Sequence, residues 1–397
     1  MEPETALPAG FRAGAVIASV KLKNTTRPDL ALLVAERPSP VRAVFTRNEL
    51  VGAHIHLCRE HLARSGSVAR AVVVNSGNAN CATGKEGVED ARAVCRALAE
   101  QLGCPEEQVL MISTGVIGAR LPMDRILARV PELVRSVRGG TLQELARAIM
   151  TTDTFPKAAA YRGRDAAGTP FHVAGVAKGA GMIHPDMATM LGFLLADALP
   201  AHDLALVLRG AVDRTFHRVT VDGDTSPNDT VLLWCNPERR LQGAVEDPLA
   251  QGAEQVGREL CRMIAADGEG ATRRITVQVQ GAPSERDAAH VGRVIATSPL
   301  VKTAVHGRDP NWGRILAAAG RSGVAIDVAN ARIWIGGADL YSGGRPHPEN
   351  EPAAHAHMRD DKDVILGVDL ASGPHQAEVW TCDYSADYVR INADYRS

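Results

Sequence analysis

The sequence predicts an α+β fold of layered sheets and helices. Short apolar runs and amphipathic helical stretches follow one another without regular βαβ repetition. Asn, Asp, Pro and Gly punctuate nearly every run. At 397 residues with 45% hydrophobic content, the chain is long enough for two domains or one large layered one.

The elements follow in order. Ala15–Val20, Leu30–Ala35 and Arg42–Thr46 read as short strands separated by Pro, Asn and Asp. Ala71–Val74 is a buried strand running into NSGNAN, a turn-forming stretch. Val88–Leu102 carries helical apolar spacing and stops at Gly103. Val109–Ile112 is a strand entering STGVIG, and helices follow at Pro122–Val137 and Thr141–Met150. Strands are expected at Phe171–Val176 and Thr189–Ala196, then a helix over His202–Phe216. Phe216–Val221 and Thr230–Trp234 read as strands bracketing DGDTSPND. Helices are expected over Pro248–Ala265 and Glu285–Val305, with a strand at Ile275–Val279. The last part reads as strands at Val324–Val328, Arg332–Ile335, Val364–Val368, Glu378–Cys382 and Tyr388–Asn392, with a polar loop from Gly343 to Asp361.

Charge and composition exclude some function classes. Lys plus Arg number 44 against 46 Asp plus Glu, a formal net charge of -2 that suggests neither nucleic acid nor an anionic membrane as partner. Aromatics at 4% are too sparse for a base-stacking platform. The seven cysteines form no C-x-x-C pair, which fits reduced thiols in a cytosolic protein. The acidic start MEPETALPAGFRAG does not read as a secretory signal, and no apolar run reaches the about 18 residues of a membrane span. A cytoplasmic protein is expected.

Most polar clusters have ordinary readings. His54, His56 and Cys58 alternate and would share one face of a strand, but no second cluster stands at structural-zinc spacing. His347, His355 and His357 fall in the polar loop, so no metal site is expected. No G-x-S-x-G elbow, P-loop or G-x-G-x-x-G is present, and Ser76 in NSGNAN reads as turn chemistry. Asp222, Asp224 and Asp229 lack the Glu that a calcium loop requires, and read as an Asx-rich turn able to support a site.

One stretch is less ordinary. KGAGMIHPDMATML places Gly179, Gly181 and Pro185 before Ala188-Thr189 and an apolar strand. The glycines permit unusual backbone angles, and Ala188 offers its carbonyl little shielding. A Thr189 hydroxyl beside a strained peptide carbonyl can attack it, giving an N-to-O acyl shift and hydrolysis. The new chain would begin at Thr189, whose α-amine, with a pKa of roughly 7.7–8.0, can act as base for its own hydroxyl. Ser113-Thr114-Gly115 at a strand end is a source of oxyanion donors, one hydroxyl and one backbone N–H.

These motifs, taken in order, resemble the glutamate N-acetyltransferases, also called ornithine acetyltransferases. The resemblance runs over essentially the whole chain, through NSGNAN, STGVIG, TTDTFPK, KGAGMIHPDMATML, DGDTSPNDT, DGEGATR, SPLVKTA, DPNWGRI and YVRINADYRS. It implies a layered α-β-β-α sandwich similar to N-terminal-nucleophile hydrolases but with different connectivity. It implies cleavage between Ala188 and Thr189, giving an α chain (1–188) and a β chain (189–397) that associate as an α2β2 heterotetramer. Thr189 would carry acetyl from N-acetylornithine to glutamate. Thr114 and Gly115 match the oxyanion hole, and Thr152, Lys178, Thr189, Glu269, Asn392 and the terminal Ser397 match substrate-binding positions. Lys178 and Glu269 suit the opposite charges of an amino-acid substrate. No cofactor is implied. Some members also use acetyl-CoA as a co-substrate, and no residue pattern decides that here. The chain departs from the family at Pro227, where a Thr is common, and at Ser397, where many members end in Thr. An amidase or aminopeptidase with water as acceptor, and a non-cleaving scaffold, are the competing expectations.

Overall fold

The structure, a computed structural model, describes residues 6–21, 26–138, 141–184, 190–243 and 247–394. The chain opens with β1 (Phe11–Val16), β2 (Leu30–Phe45), α1 (Ala53–Arg64), β3 (Val68–Asn78), α2 (Gly84–Leu102) and β4 (Val109–Val116). It continues with α3 (Met123–Ser136), α4 (Leu142–Ala148), β5 (Lys157–Arg164), β6 (Pro170–Lys178), β7 (Leu191–Ala196), α5 (Leu204–Arg214), β8 (Thr230–Cys235) and α6 (Pro248–Ala266). Then come β9 (Arg274–Ala282), α7 (Glu285–Ala296), α8 (Pro299–His306), α9 (Trp312–Gly320), β10 (Arg332–Ile335), β11 (Ala338–Ser342) and β12 (Arg345–Pro346). The chain finishes with α10 (Glu351–Asp360), β13 (Asp363–Asp369), β14 (His375–Cys382) and α11 (Ala386–Asp394).

The first eight strands form one sheet, ordered β4-β3-β2-β8-β7-β6-β5 with β1 paired to β2. It folds over along β2. The first half of that strand pairs with β3, the register shifts between Val34 and Ser39, and Val41–Phe45 pair with β8. Side-chain alternation then builds a four-layer sandwich. Ala31, Leu33, Val72, Val74, Leu110 and Ile112 of one leaf meet Val176, Phe193, Leu195, Leu232 and Trp234 of the other in a central core. On the outer face of the first leaf, Leu30, Leu32, Val73 and Met111 pack under α2 and α3. On the outer face of the second, Val173, Leu194, Val231 and Leu233 pack under α5 and α6. The expected α-β-β-α layering is therefore present, with α4 closing one end of the central core.

A second, six-stranded sheet, ordered β12-β11-β10-β13-β9-β14, carries α7 to α10 on one face. Trp380 and Cys382 of β14 turn the other way, into the core beneath α6.

Several boundaries differ from expectation. The strand expected at Ala15–Val20 ends at Val16, and Arg42–Thr46 is the second half of β2, with Pro38 exposed at the bend. The strand reading of His54, His56 and Cys58 is wrong. They lie on α1, which buries His54 and Cys58 one turn apart and exposes His56. Phe216–Val221 is a short 3-10 turn with a single bridge from Val219 to Trp380. The helix expected over Glu285–Val305 is two, because Pro299 starts α8 and Ser298 caps it. Val324–Val328 forms no strand, Tyr388–Asn392 is part of α11, and the polar loop contains α10.

Candidate active site

Two glycines shape the end of the first leaf. β3 and β4 run parallel, Ser76 opposite Thr114 and Gly77 opposite Gly115, with a bulge at Gly77/Asn78. Gly77 has φ 101° and Gly115 φ 135°, and a Cβ on Gly115 would collide with the Gly77 carbonyl carbon. Beneath them the polar side chains are consumed. Ser113 Oγ donates to Asn75 Oδ1 at 2.6 Å, Asn75 Nδ2 to the Asn78 carbonyl at 2.8 Å, and Ser76 Oγ to the Ala148 carbonyl at 2.8 Å. Ser113 is thus structural, whereas the Thr114 hydroxyl accepts from Lys178 Nζ at 3.4 Å.

Lys178 is the last residue of β6 and is 9% exposed. Burial lowers its pKa and the nearby Asp153 carboxylate opposes that shift. Asp153 accepts from Thr151 N at 2.9 Å, Lys157 Nζ at 2.7 Å and Gly179 N at 2.7 Å. Burial would raise the Asp153 pKa, but Lys178 and Lys157 hold it down, to about 2. Lys157 reaches Asp267 as well, at 2.5 Å. This buried network fixes the loop carrying Thr152, the start of KGAG and the DGEG turn against one another.

Glu269 faces the same segment. Its backbone N–H donates to the Ala180 carbonyl at 2.9 Å, and its carboxylate lies against Gly181 so closely that a Cβ there would collide with it. Asn392 Nδ2 on α11 donates to Glu269 Oε2 at 3.0 Å. Thr114, Gly115, Thr152, Lys178, Glu269 and Asn392 therefore gather around the ends of β4 and β6. Ala188, Thr189 and Ser397 lie outside the described residues.

The DGDTSPND turn supports both chain segments that flank 185–189. Asp222 accepts from Met182 N at 2.6 Å and Ile183 N at 2.9 Å. Thr220 Oγ1 donates to the Ile183 carbonyl at 2.9 Å, and Thr225 Oγ1 to the His184 carbonyl at 3.1 Å. On the far side, Thr230 N donates to the Met190 carbonyl at 3.0 Å. Asn228 Nδ2 reaches the carbonyls of Ala79 and Ser113. Asp229 is 2% exposed, and burial pushes its carboxyl well above the usual range, against the pull of Ser226 and Lys178. Pro227 leaves the turn intact, its carbonyl accepting from Gly52 N at 3.0 Å.

Sequence reasoning missed Asp153, Lys157, Asp267 and Asn228. The signal was present in TTDTFPK, DGEG and SPNDT, but nothing in one sequence says that residues 110 apart share a buried ion pair. The remaining histidines do not converge. His347 contacts Ser342 and Glu349, and His357 contacts Asp361. Among the described residues no group of three or more His, Cys, Asp or Glu could hold a metal ion, and no helix is long and apolar enough to cross a membrane.

Comparison with known proteins agrees with the motif reading. The arginine biosynthesis bifunctional protein ArgJ of Thermus thermophilus is 47% identical over 394 residues, covering 98% of each chain. The protein of the same name from Parasynechococcus marenigrum is 45% identical, covering 98% of this chain and 94% of its own. The solved ornithine acetyltransferase of Mycobacterium tuberculosis, complexed with ornithine, is 40% identical where it aligns. It covers 47% of this chain and 96% of its own, with a TM-score of 0.43. The ArgJ family model matches residues 12–397, and the chain belongs to that family.

Proposed function

We propose that the chain is an autoprocessing acetyltransferase of arginine biosynthesis, moving acetyl from N2-acetyl-L-ornithine to L-glutamate through an acetyl-Thr189 enzyme. The observation that carries this reading is the convergence of Thr114, Lys178, Glu269 and Asn392 around the ends of β4 and β6, beside the KGAG segment. Membership of the ArgJ family of arginine biosynthesis proteins supports the reading.

In this reading the Thr189 hydroxyl attacks the Ala188 carbonyl, the amide becomes an ester, and water hydrolyses it. Residues 1–188 and 189–397 remain together as α and β chains and pair as α2β2. The freed α-amine then takes the hydroxyl proton while the oxygen attacks the acetyl carbonyl of N-acetylornithine. Negative charge on that carbonyl oxygen meets the Thr114 hydroxyl and the Gly115 N–H, donors held by β4 before charge develops. Ornithine leaves with its nitrogen protonated. Glutamate's amine attacks the acetyl ester, and Thr189 recovers its hydroxyl as N-acetylglutamate departs. Lys178 anchors a substrate carboxylate, Glu269 and Asn392 anchor the side-chain ammonium group of N-acetylornithine, and Thr152 and Ser397 complete the binding shell. No cofactor takes part, and acetyl-CoA is a second acetyl donor to be assayed.

Intact-mass measurement, denaturing electrophoresis and acetyl transfer from N-acetylornithine, with and without acetyl-CoA, test the reading. The expected result is two fragments of about half size and transfer to glutamate. Thr189→Ala is expected to leave one chain and no transfer. Turnover by that variant, or acetylornithine cleavage that ignores glutamate, would overturn the assignment.

A further inference from the structure

The geometry points to Asn228 as the positioning residue that sets the oxyanion donors Thr114 and Gly115 against the strand that follows the nucleophile. The inference rests on the acetyl-transfer reading given above. Asn228 is 4% exposed, and both hydrogens of its side-chain amide are used. Nδ2 lies 2.5 Å from the Ala79 carbonyl and 2.8 Å from the Ser113 carbonyl. Its Oδ1 has no partner among the described residues, so the two carbonyls alone dictate the amide's orientation.

Those carbonyls stand on either side of the Gly77/Asn78 bulge, one just past β3 and the other in β4 immediately before Thr114. The turn that carries Asn228 is itself pinned. Thr46 N donates to the Asp229 carbonyl at 3.0 Å, Thr46 Oγ1 to the Ser226 carbonyl at 2.9 Å, and Asn228 N to Ser226 Oγ at 3.2 Å. Two residues after Asn228, Thr230 N holds the Met190 carbonyl at the start of β7. One amide thus joins the leaf that carries the donors to the leaf that carries the nucleophile's strand.

Apolar packing alone does not fix the donors in place. Apart from the β2–β8 ladder at the fold and the Lys178–Thr114 contact, the leaves face each other through Val, Leu, Ile, Phe and Trp side chains, whose attraction is non-directional. An oxyanion donor works only when it is placed before charge develops, and misplacement of about 1 Å costs about a hundredfold in rate. Two directional bonds from a buried amide fix that placement.

The test compares Asn228→Leu, which keeps the volume and loses both donors, with Asn228→Ser, which keeps one. Processed protein is assayed with N-acetylornithine and glutamate, and the Leu variant is crystallised. The expected result is a fall in kcat of about tenfold to a hundredfold for Leu, with KM for both substrates within about twofold and a smaller fall for Ser. In the crystal, the 113–115 segment should shift relative to β7 and Lys178. If Leu does not fold, Ser carries the kinetic test. Unchanged kcat, a rise in KM that accounts for the whole loss, or an unmoved 113–115 segment would overturn the inference. Should the unsubstituted protein transfer no acetyl group, the functional reading fails, while the displacement in the crystal still decides the role of Asn228.

Discussion

Gly181 shows how much rests on one missing methyl group. Its Cα lies against the Glu269 carboxylate, and that carboxylate is also held by Asn392. Gly181→Ala pushes the carboxylate out of the position from which it would meet a substrate ammonium group. The expected outcome is a rise of about tenfold in KM for N-acetylornithine, the loss of one charge-assisted contact of about 1.5 kcal/mol. Steady-state kinetics check this, and an unchanged KM would place substrate binding elsewhere. The expectation that the glycines of KGAG take unusual backbone angles holds for Gly179, at φ 156°, whereas Gly181 matters for space rather than for its angle.

At the scale of elements, α1 carries a pH-sensitive group. His54 is fully buried, and burial holds its pKa down to about 4, against an ordinary 6.5. Below about pH 6.5 the unfolded chain therefore takes up a proton that the folded chain refuses. The stabilisation from the neutral ring is complete above pH 6.5 and is lost as pH falls from there to about 4, by about 3 kcal/mol in all. Urea unfolding of the protein and of His54→Leu across that window checks the prediction. The stability of the unsubstituted protein relative to His54→Leu should fall by about 3 kcal/mol as pH falls through that window, and parallel curves would refute it. The same helix shows why local pattern misleads. AHIHLC alternates as a strand would, but Ile55, Leu57, Cys58 and His61 bury a helical face. The heptad-like spacing becomes visible only once the following REHLAR is counted in the same element. The Ala-rich KAAAYRGR stretch carries no strand signal of its own and is a strand because β6 lies beside it and supplies its hydrogen bonds.

Across the whole molecule, the sandwich and the second sheet are joined by a buried cation. Lys302 on α8 is 2% exposed and donates to the Val221 carbonyl at 2.8 Å, Thr381 Oγ1 at 3.0 Å and the Cys382 carbonyl at 2.5 Å. Val221 stands next to Asp222, which holds Met182 and Ile183. Lys302→Met leaves these acceptors unpaired and is expected to lower stability by about 2 kcal/mol. It should also speed hydrogen exchange at the Met182 and Ile183 amides. Denaturant unfolding and exchange by mass spectrometry check this, and protection as strong as in the unsubstituted protein would show that the two lobes are coupled by packing alone.

Periodicity and turn residues by themselves determined the α+β class and most strands and helices, because alternation and helical spacing are local properties of a chain that buries one face. Ordered motifs determined the family, and the resemblance pointed to Thr114, Gly115, Lys178, Glu269 and Asn392 as candidate site residues. Only the tertiary structure decided that the first sheet folds over along β2, that Asp153, Lys157 and Asp267 form one buried ion network, and that Asn228 ties the leaves together. Those contacts join residues up to 193 positions apart, Val41 and Trp234. Their energies depend on burial and on distances of a few ångströms, which no local pattern encodes.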